Sequence, residues 1–151
     1  MLRKSAFTLV ELIFVIIIIG ILAMIALPKF SGISEQSLIA KGRSDVMALR
    51  TAISSERQKR FMLGDSSYIN QLDAGVANNT ADLKIFDNNG TAGNVLLSYG
   101  VITKNSDGGW MKTGTNQYTY TVSGSANIFD YDNITGQFNC TSGAYCTKLT
   151  Q

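Results

Sequence analysis

Histidine is absent from this chain, and with it go Ser-His-Asp triads, histidine metal sites and imidazole acid–base catalysis. Cysteine is scarce. Cys140 and Cys146 stand alone near the C-terminus, too few for a zinc site and spaced for one small disulfide formed in an oxidising compartment. Proline occurs once, at Pro28, and just before it lies a scarcity of charge: from Phe7 to Leu27 the one ionisable side chain is Glu11. These absences count against an enzyme, because no nucleophile, base and orienting partner stand together in the pattern.

What is present is unevenly spread. The chain is 45% hydrophobic, but much of that content lies before Pro28. Residues 29–63 carry seven bases (Lys29, Lys41, Arg43, Arg50, Arg57, Lys59, Arg60) against three acids (Glu35, Asp45, Glu56). The remainder reverses the sign, with seven aspartates and four lysines. A formal charge of +2 therefore averages a basic stem and an acidic head.

Leu12 to Leu27 gives sixteen residues without a charge, and extending back to Phe7 gives twenty-one with Glu11 as the sole exception. Twenty apolar helical residues span about 30 Å of hydrocarbon. Arg3 and Lys4 precede the run, which by the positive-inside bias keeps the N-terminus cytoplasmic and sends the rest outward. A cleaved secretory signal peptide fits poorly: the apolar core is too long, it contains an acid, and Ala23 and Ala26 are one residue too far apart for an A-x-A site. A plain membrane anchor leaves Glu11 unexplained, since a carboxylate at mid-bilayer costs roughly 2.5–3.5 kcal/mol on insertion scales.

The stretch "KSAFTLVEL" resembles the N-terminal signature of type IV pilins and type II secretion pseudopilins: a short basic leader, a small residue, then Phe-Thr-Leu-x-Glu-Leu opening a long apolar helix. The resemblance covers Lys4 to about Pro28. It implies that a prepilin peptidase cuts between Ala6 and Phe7, where the family usually has Gly before the cut, and that Phe7, the new N-terminus, is N-methylated. It also implies that Glu11 of one subunit pairs with the Phe7 ammonium of a neighbour during assembly. Such a pair at about 4 Å is worth roughly 4 kcal/mol at an effective dielectric near 20, before desolvation is set against it.

Gly20 weakens helix propensity by about 1 kcal/mol relative to Ala, and Pro28 removes an amide donor. The interval between them reads either as a kink or soft segment of the assembled helix or as ordinary tolerance of Gly and Pro in membrane helices. Beyond Pro28 the pattern becomes amphipathic. Ile39, Val46 and Ile53 are seven apart with Leu49 between the last two, and the bases take other faces. "FMLGD" reads as the stop, with Gly64 as a left-handed cap. A helix from Phe7 to Leu63 would be about 85 Å long, a length suited to a filament subunit. Loss of Arg3 and Lys4 with the leader takes the bases from thirteen to eleven, against eleven acids, so general nucleic-acid binding is not expected. Contact of basic stems with acidic heads of neighbouring subunits is.

In the head, residues 65–109 are rich in turn formers, with short helical pieces expected at Ser67–Leu72 and Thr80–Phe86. From Trp110 onward, "QYTYTV", "NIFDYD" and "GQFNC" predict a three-stranded antiparallel meander whose Trp110, Phe129 and Tyr131 cover the helix. "DYDNITG" lacks the spacing and the closing glutamate of a calcium loop and reads as a polar hairpin turn.

The expected fold is thus α+β and type IV pilin-like, a long N-terminal helix packed on a small antiparallel sheet, with no cofactor or metal. Its parts are a leader (1–6), a transmembrane and assembly helix (7–28), an amphipathic continuation (29–63) and an extracytoplasmic head (64–151). The resemblance implies a structural subunit of a pseudopilus or pilus, anchored in a bacterial inner membrane before joining a periplasmic or surface filament. Its partners would be the prepilin peptidase, other subunits, an inner-membrane assembly platform and membrane lipid. The rival reading is a single-pass anchored binding protein that does not polymerise.

Overall fold

The structure, a computed structural model, describes residues 7–88 and 96–151, with the side chains of residues 26–33 outside the description. Residues 1–6, the expected leader, and residues 89–95 also lie outside it. The chain divides into two compact units, Met1–Gln36 and Ser37–Gln151, and helix α1, Leu9–Met62, runs through both.

In the first unit α1 begins directly after Thr8. The large apolar side chains from Phe7 to Ile25 are all exposed, by 41 to 77%. Among the described residues no helix is long and apolar enough to cross a membrane.

In the second unit α1 buries one stripe. Ile39, Val46, Leu49 and Ile53 are shielded from solvent, the four positions their spacing singles out. The helix stops where expected, for a specific reason. The Gly64 amide donates to the Phe61 carbonyl at 3.0 Å and the Asp65 amide to the Arg60 carbonyl at 2.9 Å, the two bonds of a Schellman cap. That cap needs the left-handed backbone which Gly64 adopts (φ +88°).

The stripe lies under an antiparallel meander of four strands, β3 (Trp110–Lys112), β4 (Gln117–Val122), β5 (Ser125–Asp132) and β6 (Gln137–Ser142), in that spatial order. Alternation sets the inward face. Tyr118, Tyr120 and Val122 of β4 are buried while the intervening threonines are not. Registers of Trp110 with Tyr120, Tyr118 with Phe129 and Tyr131 with Phe138 stack the aromatics in rows. Phe86 joins them edge-on to Trp110 at 5.4 Å between ring centroids. This is the α+β arrangement, long helix on small antiparallel sheet, that the resemblance implies.

Three features differ from expectation. The meander has a fourth strand, β3, at its edge. Ser67–Leu72 and Thr80–Phe86 are not helical. Both segments instead lie along the core, irregular apart from Lys84–Ile85, and Ile69, Leu72, Ile85 and Phe86 are buried. Their backbone groups bond to distant partners: Asn88 to Leu72, Asp82 to Thr103, Leu97 to Phe86. Lys84–Ile85 (β1) pairs with Val101–Ile102 (β2) in a two-stranded antiparallel ribbon. Asp82 and Phe86 take positive φ, which a helix cannot contain. A short C-terminal helix, α2 (Cys146–Thr150), completes the head.

Candidate functional site

The start of α1 is built by Thr8. Its hydroxyl accepts the Glu11 amide at 3.3 Å and its carbonyl accepts the Leu12 amide at 3.2 Å, so it is the N-cap and Glu11 the third helical residue. Thr-x-x-Glu before an apolar run is the sequence form of a capping box. This signal is legible in the sequence at Thr8 and Glu11. Glu11 is exposed and acidic in the first turn, where the helix's unpaired amides attract negative charge. Its own helix end therefore offsets part of the cost of placing a carboxylate in an apolar segment.

Phe7, two residues before the helix proper, is exposed. Ala6 lies outside the described residues. Gly20 sits inside α1 with open space around the position a Cβ would take. Pro28 falls within the helical residues, its side chain outside the description. Phe7 thus precedes, and Glu11 and Gly20 lie within, a segment that is apolar and exposed and carries one acid at its first turn.

The head is held to the Ser37–Met62 part of α1 by polar ties that hydrophobic periodicity does not reveal. Buried Asp45 accepts the Trp110 indole N–H at 3.0 Å. The Tyr120 hydroxyl donates to the Leu38 carbonyl at 2.7 Å. The bases of the stem reach the molecule's own head: Lys41 donates to the Gly108 carbonyl, Arg43 to that of Lys148 at 2.7 Å, and Arg50 to that of Phe138 at 3.0 Å. Arg57 donates to the Tyr68 hydroxyl and lies 4.3 Å over its ring. Within one chain Lys41, Arg43, Arg50 and Arg57 meet uncharged acceptors of their own head. Backbone carbonyls and a phenol of the same chain take them up.

One charged cluster is fully interior. Asp73 accepts the Lys112 ammonium at 2.7 Å, the Tyr118 hydroxyl, and the amides of Gly75 and Val76 at 2.9 Å each. Burial alone would push the Asp73 carboxyl up, but the bonds from Lys112, Tyr118 and Val76 outweigh it and hold it below the usual value. The Tyr118 phenol is pushed far up by burial and by facing that carboxylate. The cluster is saturated with bonds, which suits a tie-point of the fold.

The C-terminus forms a clasp. A disulfide joins Cys140 of β6 to Cys146 of α2, and α2 presses Leu149, fully buried, against α1 at Gly42. A Cβ at Gly42 would collide with the Tyr120 ring and Leu149, so glycine here sets how closely the helix approaches sheet and clasp. In "DYDNITG" the Asp132 carboxylate accepts the Ile134 amide at 2.8 Å and the Thr135 hydroxyl at 2.7 Å, making the expected polar turn. Asp130 is bonded to Gln117 and Thr141. Among the described residues no three His, Cys, Asp or Glu side chains gather as metal ligands.

Comparison with known proteins finds a family model at the N-terminus and relatives over about a third of the chain. A family model described as the prokaryotic N-terminal methylation motif matches residues 1–27. A fimbrial protein of Pseudomonas aeruginosa is 42% identical over 52 residues, 34% of this chain and 34% of its own length. The type II secretion system core protein G of Aeromonas hydrophila is 43% identical over 51 residues, 34% of this chain and 36% of its own. A type IV major fimbrial protein FimA of Dichelobacter nodosus is 42% identical over 50 residues, 33% and 32% of the two chains. The chain thus spans about a third of the length of these curated relatives. No solved structure matches it. The chain carries the N-terminal signature of the type IV pilin and pseudopilin family.

Proposed function

We propose that this chain is a structural, non-enzymatic subunit of a type IV pilus or a type II secretion pseudopilus, polymerised from a bacterial inner membrane through the first part of α1. The observation that carries the reading is the exposed apolar surface from Phe7 to Ile25 with Glu11 in its first turn, lying inside the segment that matches the methylation motif. Apolar side chains exposed along one whole helical segment need a non-aqueous neighbour, and lipid before assembly and other subunits after it supply one in turn.

A prepilin peptidase removes residues 1–6 by cutting between Ala6 and Phe7, and Phe7 is then N-methylated. Cleavage leaves a cation four residues from Glu11. N-methylation keeps that charge, so the Phe7 ammonium of one subunit and Glu11 of another attract as the apolar helices pack in register. The Gly20–Pro28 interval is the soft part of the packed helix. The assembly platform of the inner membrane delivers the subunits.

Intact-mass measurement and N-terminal sequencing of the protein from an expressing bacterium test this reading. The expected chain begins at Phe7 and carries one added methyl group. A chain beginning at Met1, or one cut after Ala26 with the apolar segment gone, would exclude it.

A further inference from the structure

The four-stranded sheet ends on two edges, β3 and β6, and they are closed by different means. Backbone closes β3. The Lys104 amide donates to the Trp110 carbonyl and the Asn79 amide to the Lys112 carbonyl, each at 2.8 Å, and Thr103 bridges to Trp110. Among the described residues no chain segment pairs with the outer side of β6 in this way.

The pairing shows which groups β6 turns outward. The Tyr131 amide donates to the Asn116 carbonyl, on the β4 side of β5. Tyr131 and its register partner Phe138 therefore do not bond to each other, and the Phe138 amide and carbonyl face the edge. Cys140, two residues on and opposite Phe129, faces the same way. The strand's own sequence, Gln-Phe-Asn-Cys-Thr-Ser, holds no charge and no proline, the residues that keep an edge from pairing with another chain. One side chain of α1 takes their place. Arg50 Nε donates to the Phe138 carbonyl at 3.0 Å and Nη2 to Asn139 Oδ1 at 3.3 Å. Phe138 has no solvent exposure although it stands on an edge strand.

We propose that Arg50 guards the β6 edge: by occupying it, the guanidinium prevents the β6 strand of a second copy of this chain from adding there. A row of outward amides and carbonyls fits an extended strand, and the same row on a second copy is such a strand, with the two β6 strands antiparallel about a two-fold axis. Bonded to the Phe138 carbonyl, the guanidinium removes one acceptor from that row. A second strand laid over it would also bury its charge without a counter-ion. The inference concerns the head alone and does not depend on the subunit reading.

The test uses the full chain in detergent, with p-benzoylphenylalanine at position 137 and an equal mixture of isotopically light and heavy chains. Arg50→Met should raise mixed-isotope cross-links from position 137 to residues 137–142 about tenfold, the equivalent of one charge-assisted hydrogen bond. Arg43→Met is the control, because Arg43 makes two bonds of the same kind to the Lys148 carbonyl, off the edge, and it should leave the cross-links at the native level. Thr141→Lys added to the Arg50→Met chain puts a charge back on the edge and should return them toward that level. Cross-links equal in the Arg50→Met and native chains, raised as much by Arg43→Met, or directed to other surfaces would overturn the guard role. Trp110 fluorescence reports whether each variant is folded. Arg50→Gln, which drops the charge with less change in polarity, carries the same expectation where Arg50→Met does not fold, and native cross-linking from a folded Arg50→Gln chain would overturn the proposal as well.

Discussion

One helix of this protein lives under two regimes. From Phe7 to Ile25 its large apolar side chains are exposed without exception, whereas from Ser37 to Met62 a single stripe, Ile39, Val46, Leu49 and Ile53, is buried and the outward side chains are largely polar. Residue type alone does not separate the two, since isoleucine dominates the first and recurs in the second. The difference is periodicity. An apolar stripe of period about 3.6 has one preferred side and finds it inside its own chain. An apolar surface on every side cannot be satisfied by one small sheet and must be covered from outside.

Paired truncations sharpen this contrast most. Leu49→Ala should destabilise the head by about 2–5 kcal/mol through lost burial and the cavity left behind. Ile17→Ala, on the same helix, should change the head's unfolding free energy by less than about 0.5 kcal/mol. Denaturant titration of the full chain in detergent, read by Trp110 fluorescence, measures both. Comparable losses at the two sites would mean that the first segment is stabilised within the chain after all.

The polar ties should come next. Asp73→Asn leaves the Lys112 ammonium buried without its counter-charge, a loss of about 3–5 kcal/mol for a broken interior pair. With Asp73 held low, its contribution is present above the ordinary carboxylate value of about 3.8 and is lost as pH falls through the lower folded value. Native stability should therefore drop below about pH 4, and the asparagine variant should lack this component. The alkaline side has the opposite sign. Burial pushes the Tyr120 and Tyr131 phenols up to about 12, so their contribution holds below the ordinary value of 10 and is lost as pH rises from there through 12. Unfolding midpoints between pH 2 and 12 check both limbs.

Smaller effects belong to the clasp. Cys140→Ser with Cys146→Ser opens a loop of sequence separation 6 and should cost about 2 kcal/mol by chain entropy. Gly42→Ala forces a methyl into Tyr120 and Leu149 and should cost about 1–3 kcal/mol by overpacking. Thermal melts of the two variants against the native chain would show these shifts.

The sequence made the long-period features legible and hid the short and distant ones. The Ile39–Ile53 stripe, the Gly64 stop and strands β4 to β6 all follow from patterns several residues long. Strands β1 and β2 have two residues each and β3 has three, too few to alternate; β1 and β2 exist because they pair with each other across a long loop, and β3 because it closes a hairpin with β4. Ser67–Leu72 and Thr80–Phe86 carried weak helical signals that core burial and positive φ at Asp82 and Phe86 override. The charges of the stem were plain, but their acceptors in the head are mostly backbone carbonyls, which every residue has and which no sequence pattern marks. At the N-terminus the apolar run and Glu11 were evident at once. Thr8, which positions Glu11 in the first turn, was hidden in plain view as a capping pair.

Glu11→Ala tests the central claim, that the first part of α1 is an assembly surface whose acid receives the Phe7 ammonium. Removing the carboxylate lowers the insertion cost, so the variant should reach the membrane fraction at native abundance or above, while sheared filaments should be lost or strongly reduced because the ammonium would be buried unpaired. Filaments at native abundance from this variant would contradict the pairing and return the segment to a plain membrane anchor.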